Sequence, residues 1–205
     1  ISSSLRILEL LAETCVESGV DTRFTSVYET PLRVTSVDQV KKDIEWADTV
    51  LLAFPLYVDG LPSGLNELLE GLVQSGAEYP GKTFRVICNC GFPEAHQCDV
   101  AVDMCSLFCA DVGMTWAGGL SLGMGGMLGG KPIKGDGGPT KKIHGALVKL
   151  ANEIAMGQSI SNELNELIRT PVLPKWLYTF IAGIMMKRSF KPKDSNLKIN
   201  HRPYN

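Results

Sequence analysis

Asp48-Thr49-Val50-Leu51-Leu52-Ala53-Phe54-Pro55 is the stretch on which the fold turns. From Thr49 to Phe54 it is continuously apolar rather than alternating, which marks a strand buried on both faces of a parallel sheet. Pro55 ends it, because proline removes a backbone donor. Toward the C-terminus, Ser63 to Gln74 carries Leu65, Leu68, Leu69 and Leu72 at helical spacing, and Thr83 to Asn89 (TFRVICN) reads as a second buried strand. Ala95 to Val112 then reads as a long helix, Met114 to Leu122 as a strand and Thr140 to Met156 as a strong helix. Toward the N-terminus, Ser36 to Trp46 has the cap and periodicity of a helix, and Arg23 to Val27 reads as a short strand after the Gly19-Val20-Asp21 break. Leu5, Leu8, Leu11, Ala12, Cys15 and Val16 recur at helical spacing behind Ser2, Ser3 and Ser4, any of which can cap the first turn.

The resulting order is αβαβαβαβα. Such alternation predicts a doubly wound α/β sheet, because parallel neighbours need crossovers and the crossover helices cover both faces. A sheet of this kind begins with its central strand, which delivers the chain through a ligand-binding loop into the first helix. That strand is expected upstream of Ile1, so the N-terminus is expected to be incomplete.

Composition narrows the functional classes. The chain has 205 residues, 44% of them hydrophobic and 20% charged, with a net charge of −2. At this length roughly 70% of the unfolded surface is buried on folding, enough for a core without disulfide or metal staples. The near-neutral balance lacks the basic face that nucleic-acid binding requires. The longest apolar stretch, Trp176 to Met186, is shorter than the roughly 20 residues of a spanning helix. No transmembrane segment and no nucleic-acid partner are expected. Cysteines at 15, 88, 90, 98, 105 and 109 sit mostly in apolar segments and read as reduced, buried thiols of a cytoplasmic protein. They offer no paired Cys-x2-Cys unit, so no metal site is assigned. Residues 1–170 form one domain in this reading. From Lys175 onward there are seven Lys or Arg against one acidic residue, so residues 171–205 read as an apolar and basic tail that packs on the domain or across a homodimer.

Pro55-Leu56-Tyr57-Val58-Asp59-Gly60-Leu61-Pro62-Ser63 lies between a buried strand and a helix, where α/β sheets bind ligands. Its two prolines restrict the backbone, so the loop is either a pre-organised ligand edge or a plain connection. PLYVDGLPSGLNELLE, preceded by ADTVLLAF, resembles the flavin-edge loop of the flavodoxin-like NAD(P)H-dependent FMN reductases and quinone reductases. The likeness continues in VICNCGFPEAHQ and in the serine-led first helix, and it runs from Ser2 to about Met156.

The resemblance implies a flavodoxin-like sheet in the order 2-1-3-4-5 and FMN bound at its carboxyl edge. Ser2, Ser3 and Ser4 then hold the FMN phosphate at the helix N-terminus, a position whose free N–H groups and dipole suit an anion; as ordinary caps they need no ligand. Pro55, Leu56, Tyr57 and Val58 line one side of the isoalloxazine, and Asn89, Cys90, Gly91 and Phe92 the other. Gly91, lacking Cβ, permits close approach of a ring. Phe92 stacks on a ring or packs in the core, and Tyr57 and His96 are either hydrogen-bond donors to substrate or structural. No catalytic residue is named, because the cofactor carries hydride chemistry and the protein supplies position and electrostatics.

The implied function is an oxidoreductase passing reducing equivalents from NAD(P)H through FMN to a small-molecule electron acceptor such as a quinone or a flavin. The alternatives are a flavodoxin-type electron carrier between proteins and an interaction domain without flavin. Gly125 to Pro132 (GGMLGGKP) has phosphate-loop spacing, but Pro132 stands where the magnesium-binding Ser or Thr belongs, so nucleotide hydrolysis is not expected.

Overall fold

Three parallel strands set the frame. The computed structural model describes residues 2–189 apart from 31, 32, 129, 130, 139 and 172. The chain divides into two compact units, Ile1–Val172 and Leu173–Asn205. In the first unit the elements are α1 (Ser3–Glu17), β1 (Tyr28–Thr30), β2 (Arg33–Val34), α2 (Val37–Trp46), β3 (Thr49–Pro55), α3 (Ser63–Gln74), β4 (Thr83–Asn89), α4 (Asp99–Asp111), β5 (Thr115–Leu122), α5 (Thr140–Ala155) and α6 (Asn162–Arg169). The second unit contributes one described helix, α7 (Lys175–Ser189). Among the described residues no helix is long and apolar enough to cross a membrane.

Strands β3, β4 and β5 pair in that order, with Pro55 level with Asn89 and Asn89 level with Leu122, so the three carboxyl ends finish together. Side chains alternate across the sheet and create two cores. Phe84, Val86 and Cys88 face Leu65, Leu72 and Phe108, whereas Ile87 faces Ile7, Leu11, Leu147 and Leu150. The helices thus form one layer on each face. A bulge interrupts the β4–β5 register, where one residue of β4, Arg85, opposes two of β5, Ala117 and Gly118. Gly118 sits in it with φ of 110°, and a Cβ there would meet Ile160 at 2.9 Å. Gly118 and Gly119 thus lie inside β5 itself.

Two expectations need correcting. Arg23–Val27 is not a strand. Its Thr25 hydroxyl donates to Asp43 at 2.7 Å and Arg23 stacks 4.2 Å from the Trp46 ring, so side chains lean it on α2 while its backbone has no ladder to join. The nearby β structure is instead the β1–β2 antiparallel pair. Nor is β3 sealed on both faces: only Phe54 of its seven residues is buried, against six of seven in β4. The difference follows from position, since among the described residues β4 has a neighbour on each side and β3 on one. The two remaining places of the expected 2-1-3-4-5 order are not formed by described residues.

Candidate functional site

The carboxyl edge gathers three loops and one helix start. After β3, Leu56 donates its N–H to Asn89 O at 2.8 Å, then the chain folds into a tight turn in which Tyr57 and Gly60 exchange both backbone hydrogen bonds, at 3.0 and 3.1 Å. Val58 and Asp59 occupy its centre with φ of 49° and 58°. Two successive left-handed residues make the mirror-image turn that suits a strand reversal, normally the province of Asn and Gly. A β-branched valine there is strained. Its side chain is 102% exposed and that of Tyr57 61%, so neither gains packing within the chain.

After β4, Asn89 is 5% exposed and its amide donates to Ser4 Oγ at 2.8 Å and to Phe54 O at 3.0 Å. Gly91 and Phe92 follow at the surface, and a Cβ built on Gly91 would meet nothing within 4 Å. After β5, Met124 donates to Phe92 O at 2.7 Å and Gly125 to Cys90 O at 2.8 Å, stapling this loop to the one after β4. The approach is so close that a Cβ on Gly123 would lie 2.6 Å from Pro93 O, and one on Gly125 2.7 Å from the Asn89 side-chain oxygen. Met124 has φ of 59°. Among the described residues, all three non-glycine residues with left-handed backbones sit in these edge loops, and stored strain of this kind concentrates at functional sites.

The first turn of α1 is built into the same edge. Ser2 caps the helix by accepting from Leu5 N at 3.2 Å, Ser3 donates to Gly125 O at 2.8 Å, and the buried Ser4 accepts from Asn89. Of the eleven residues expected to form a site, Ser3, Ser4, Asn89 and Cys90 are thus tied to one another or to the neighbouring loops, Ser2 is exposed and caps its own helix, Tyr57, Val58, Gly91 and Phe92 are exposed, and Pro55 and Leu56 are half-buried.

Beneath the edge lie buried thiols. Cys98 bonds to Cys88 and to Cys90, and the bond to Cys88 leads in pushing the Cys98 thiol up to about 12. Cys90 is raised still further, chiefly by its bond to Cys98. Burial alone lifts Cys105 to about 12. All six cysteines are free and buried, and the thiols of Cys90, Cys98 and Cys105, held protonated, are poor nucleophiles. Gly129 and Gly130 of the phosphate-loop-like run lie outside the described residues.

Sequence reasoning weighed Gly125 only as the start of a broken phosphate loop and passed over Gly123 and Met124, although the Gly123–Gly125 segment supplies the third loop. Its signal was the glycine spacing itself, here required by backbone approach. It also passed over Asp99, which accepts from Arg169 Nη1 and Nη2 at 2.7 and 2.8 Å and from Ser121 Oγ at 2.9 Å beside the edge. Neighbouring Arg169, through that hydrogen-bonded pairing, holds the Asp99 carboxyl below its ordinary value.

No protein-family model matches the chain, and no curated protein matches it. Solved structures do. The flavodoxin of Streptococcus pneumonia TIGR4 is 16% identical, with a TM-score of 0.56 over 76% of this chain and 91% of that one. The NAD(P)H:quinone oxidoreductase of Methanothermobacter marburgensis is 16% identical, with a TM-score of 0.55 over 75% and 89%. The rubredoxin oxygen:oxidoreductase of Desulfovibrio gigas is 15% identical with a TM-score of 0.53 over 76% of this chain, which spans 33% of that longer one. With its parallel sheet and these structural neighbours, the chain has a flavodoxin-like α/β fold.

Proposed function

We propose that this chain is an FMN-dependent oxidoreductase that passes reducing equivalents from NAD(P)H to a small acceptor such as a quinone or a flavin. The observation that carries the reading is the convergence at one edge of the Tyr57–Gly60 turn, the Asn89–Phe92 loop and the first turn of α1. The residues fit the group. Exposed Tyr57, Val58 and Phe92 offer apolar surface to a flat ring, and the open space at Gly91 admits one closely. The first-turn N–H groups of α1 and the Ser2 hydroxyl, which keeps a proton to donate, suit a phosphate. Ser3 and Ser4 act by fixing that helix start against Gly125 and Asn89.

FMN, when bound, supplies the hydride and electron chemistry. The chain's part is to hold and orient it: Pro55, Leu56, Tyr57 and Val58 from one loop, Asn89, Cys90, Gly91 and Phe92 from the other. Left-handed Val58 and Asp59 pre-organise the first of these loops, which lowers the ordering cost of binding. Flavodoxin-like structures that include an NAD(P)H:quinone oxidoreductase support the reductase within this reading. A homodimer and a cytoplasmic location belong to the same proposal.

Titrating the protein with FMN and following flavin fluorescence tests the first half, and mixing the complex with NADH or NADPH in a stopped-flow instrument tests the second. Quenching on binding, bleaching by a nicotinamide and reoxidation by a quinone are expected. FMN that stays unquenched at high protein concentration rejects the flavin site. A bound flavin reduced by a protein donor and by neither nicotinamide makes the chain an electron carrier instead.

A further inference from the structure

Helix α7 of the second unit turns large apolar side chains toward water. Trp176 is 71% exposed and Phe180 64%, and Ile181 and Ile184 are exposed as well. At 3.6 residues per turn these four share an arc of about 140°, and Lys175, Thr179 and Ala182 take the opposite side. Pro174 starts the helix, its carbonyl accepting from Leu177 N and Tyr178 N at 3.0 and 3.1 Å. The Thr179 hydroxyl donates back to Lys175 O at 3.1 Å, so its polarity is met inside the helix. A broad aromatic and aliphatic face opposite a small, polar one is the build of a helix that lies in an interface. Fifteen residues span about 22 Å, short of the roughly 30 Å of a hydrocarbon core, so such a helix lies along a bilayer and does not cross it.

Charge selects the occupant of that face. Of the chain's 20 Lys and Arg and 22 Asp and Glu, the sequence from Lys175 onward holds seven and one, which leaves 13 and 21 to the rest. The net charge of −2 thus hides a basic tail on an acidic body. A second copy pairing through the same helix would bring two such basic stretches together, at an electrostatic cost. Anionic headgroups neutralise the stretch instead, while the boundary beneath them takes up the aromatic face. We infer that α7 is an in-plane anchor that docks this chain on an anionic lipid surface, with Trp176, Phe180 and Ile184 entering the boundary between headgroups and acyl chains. The acidic body is repelled by the same surface, so the docking belongs to the second unit alone. The inference rests on α7 and on the charge of the sequence around it, and stands whether or not a flavin binds.

The test mixes the full chain with vesicles of phosphatidylcholine alone or with about 30% phosphatidylglycerol added, and reads co-sedimentation. Tryptophan emission is followed in parallel with bromine-labelled acyl chains as quencher, the Trp176→Phe variant giving the background from Trp46 and Trp116. Affinity at least about tenfold higher for the anionic vesicles is expected, with release as salt rises from about 0.1 to about 0.5 M. Quenching that disappears in Trp176→Phe is expected too. Trp176→Ser combined with Phe180→Ser is expected to weaken binding at least about tenfold while leaving the urea midpoint unchanged, since both side chains are exposed. Equal binding to the two vesicle types, no binding to either, or a double variant that binds like the parent overturns the inference. A doubled mass in lipid-free solution that the double variant halves, without vesicle binding, gives the face to a second copy and overturns it equally. Should the double variant fail to fold, the parent decides: quenching of Trp176 by the labelled chains supports the anchor, and its absence rejects it.

Discussion

Asn89 at the end of β4 donates its side-chain amide to the hydroxyl of Ser4 in the first turn of α1, 85 residues away, at 2.8 Å. Both residues are buried, so the bond is shielded from water and the groups have few substitutes. Asn89→Ala leaves the Ser4 hydroxyl unpartnered and is expected to cost about 1–3 kcal/mol in urea denaturation. It also frees the helix start, so FMN affinity falls. Ser4→Ala combined with Asn89→Ala is expected to cost less than the sum of the two single changes, by at least about 0.5 kcal/mol. Strict additivity would show that the bond does not form.

Gly91 and Gly123 sit in the loops after β4 and β5 and differ in what surrounds them. A side chain at Gly91 meets no atom of the chain within 4 Å, whereas a Cβ at Gly123 collides with the Pro93 carbonyl at 2.6 Å. Gly91→Val is therefore expected to leave the melting temperature within a few degrees of the parent while weakening FMN binding at least about tenfold. Gly123→Ala is expected to lower both, because backbone of the Phe92–Pro93 segment must move. Unchanged FMN affinity in Gly91→Val removes this loop from the site.

Val58 carries backbone strain without compensating contacts, since its side chain is fully exposed and its φ is 49°. Glycine accepts that conformation freely, and the relief of roughly 1–2 kcal/mol exceeds the entropy glycine adds to the unfolded chain, of roughly 0.5–1 kcal/mol. Val58→Gly is thus expected to raise stability slightly, measured by thermal unfolding. The same change removes an apolar surface from the proposed ring edge, so FMN affinity is expected to fall. A gain in stability with a loss of binding identifies strain retained for the ligand.

Most of this was legible where local chemistry decides. The caps at Ser2 and Ser36, the leucine spacing of α3 and the apolar runs of β3 and β4 each state their element in a few residues. Arg23–Val27 was misread as a strand because a short run after a break says nothing of the ladder partner a strand needs. Helix α6 went unread, although Ser161 caps it in the usual way and Leu164 and Ile168 bury at i, i+4 spacing. Arg85 of TFRVICN went unremarked; at 1% exposure it is accommodated by Gln158 O and Thr49 Oγ1, which accept from its guanidinium at 2.7 and 3.3 Å. The third edge loop was hidden in a glycine-rich run, since the reason for Gly123 and Gly125 is the nearness of Pro93 and Asn89.

Asp99 and Arg169 join the N-terminus of α4 to the C-terminus of α6 through a two-pronged ion pair, with Ser121 of β5 adding a third bond to the carboxylate. Arg169 holds the Asp99 carboxyl below its ordinary 3.8, against the opposing effect of burial. A carboxyl depressed in the folded state stabilises the fold above its unfolded value and loses that contribution as pH falls through the folded one. The pair's contribution is therefore complete at pH 5 and above, and fades below about 4. Both side chains keep part of their surface in water, at 42% and 29%, so Asp99→Asn is expected to cost only about 1 kcal/mol at pH 7. Denaturation midpoints of parent and variant should converge as pH falls through the lowered folded value, and high salt should narrow the gap at pH 7. A gap that persists undiminished at low pH would mean that Asp99 acts through shape and not through charge.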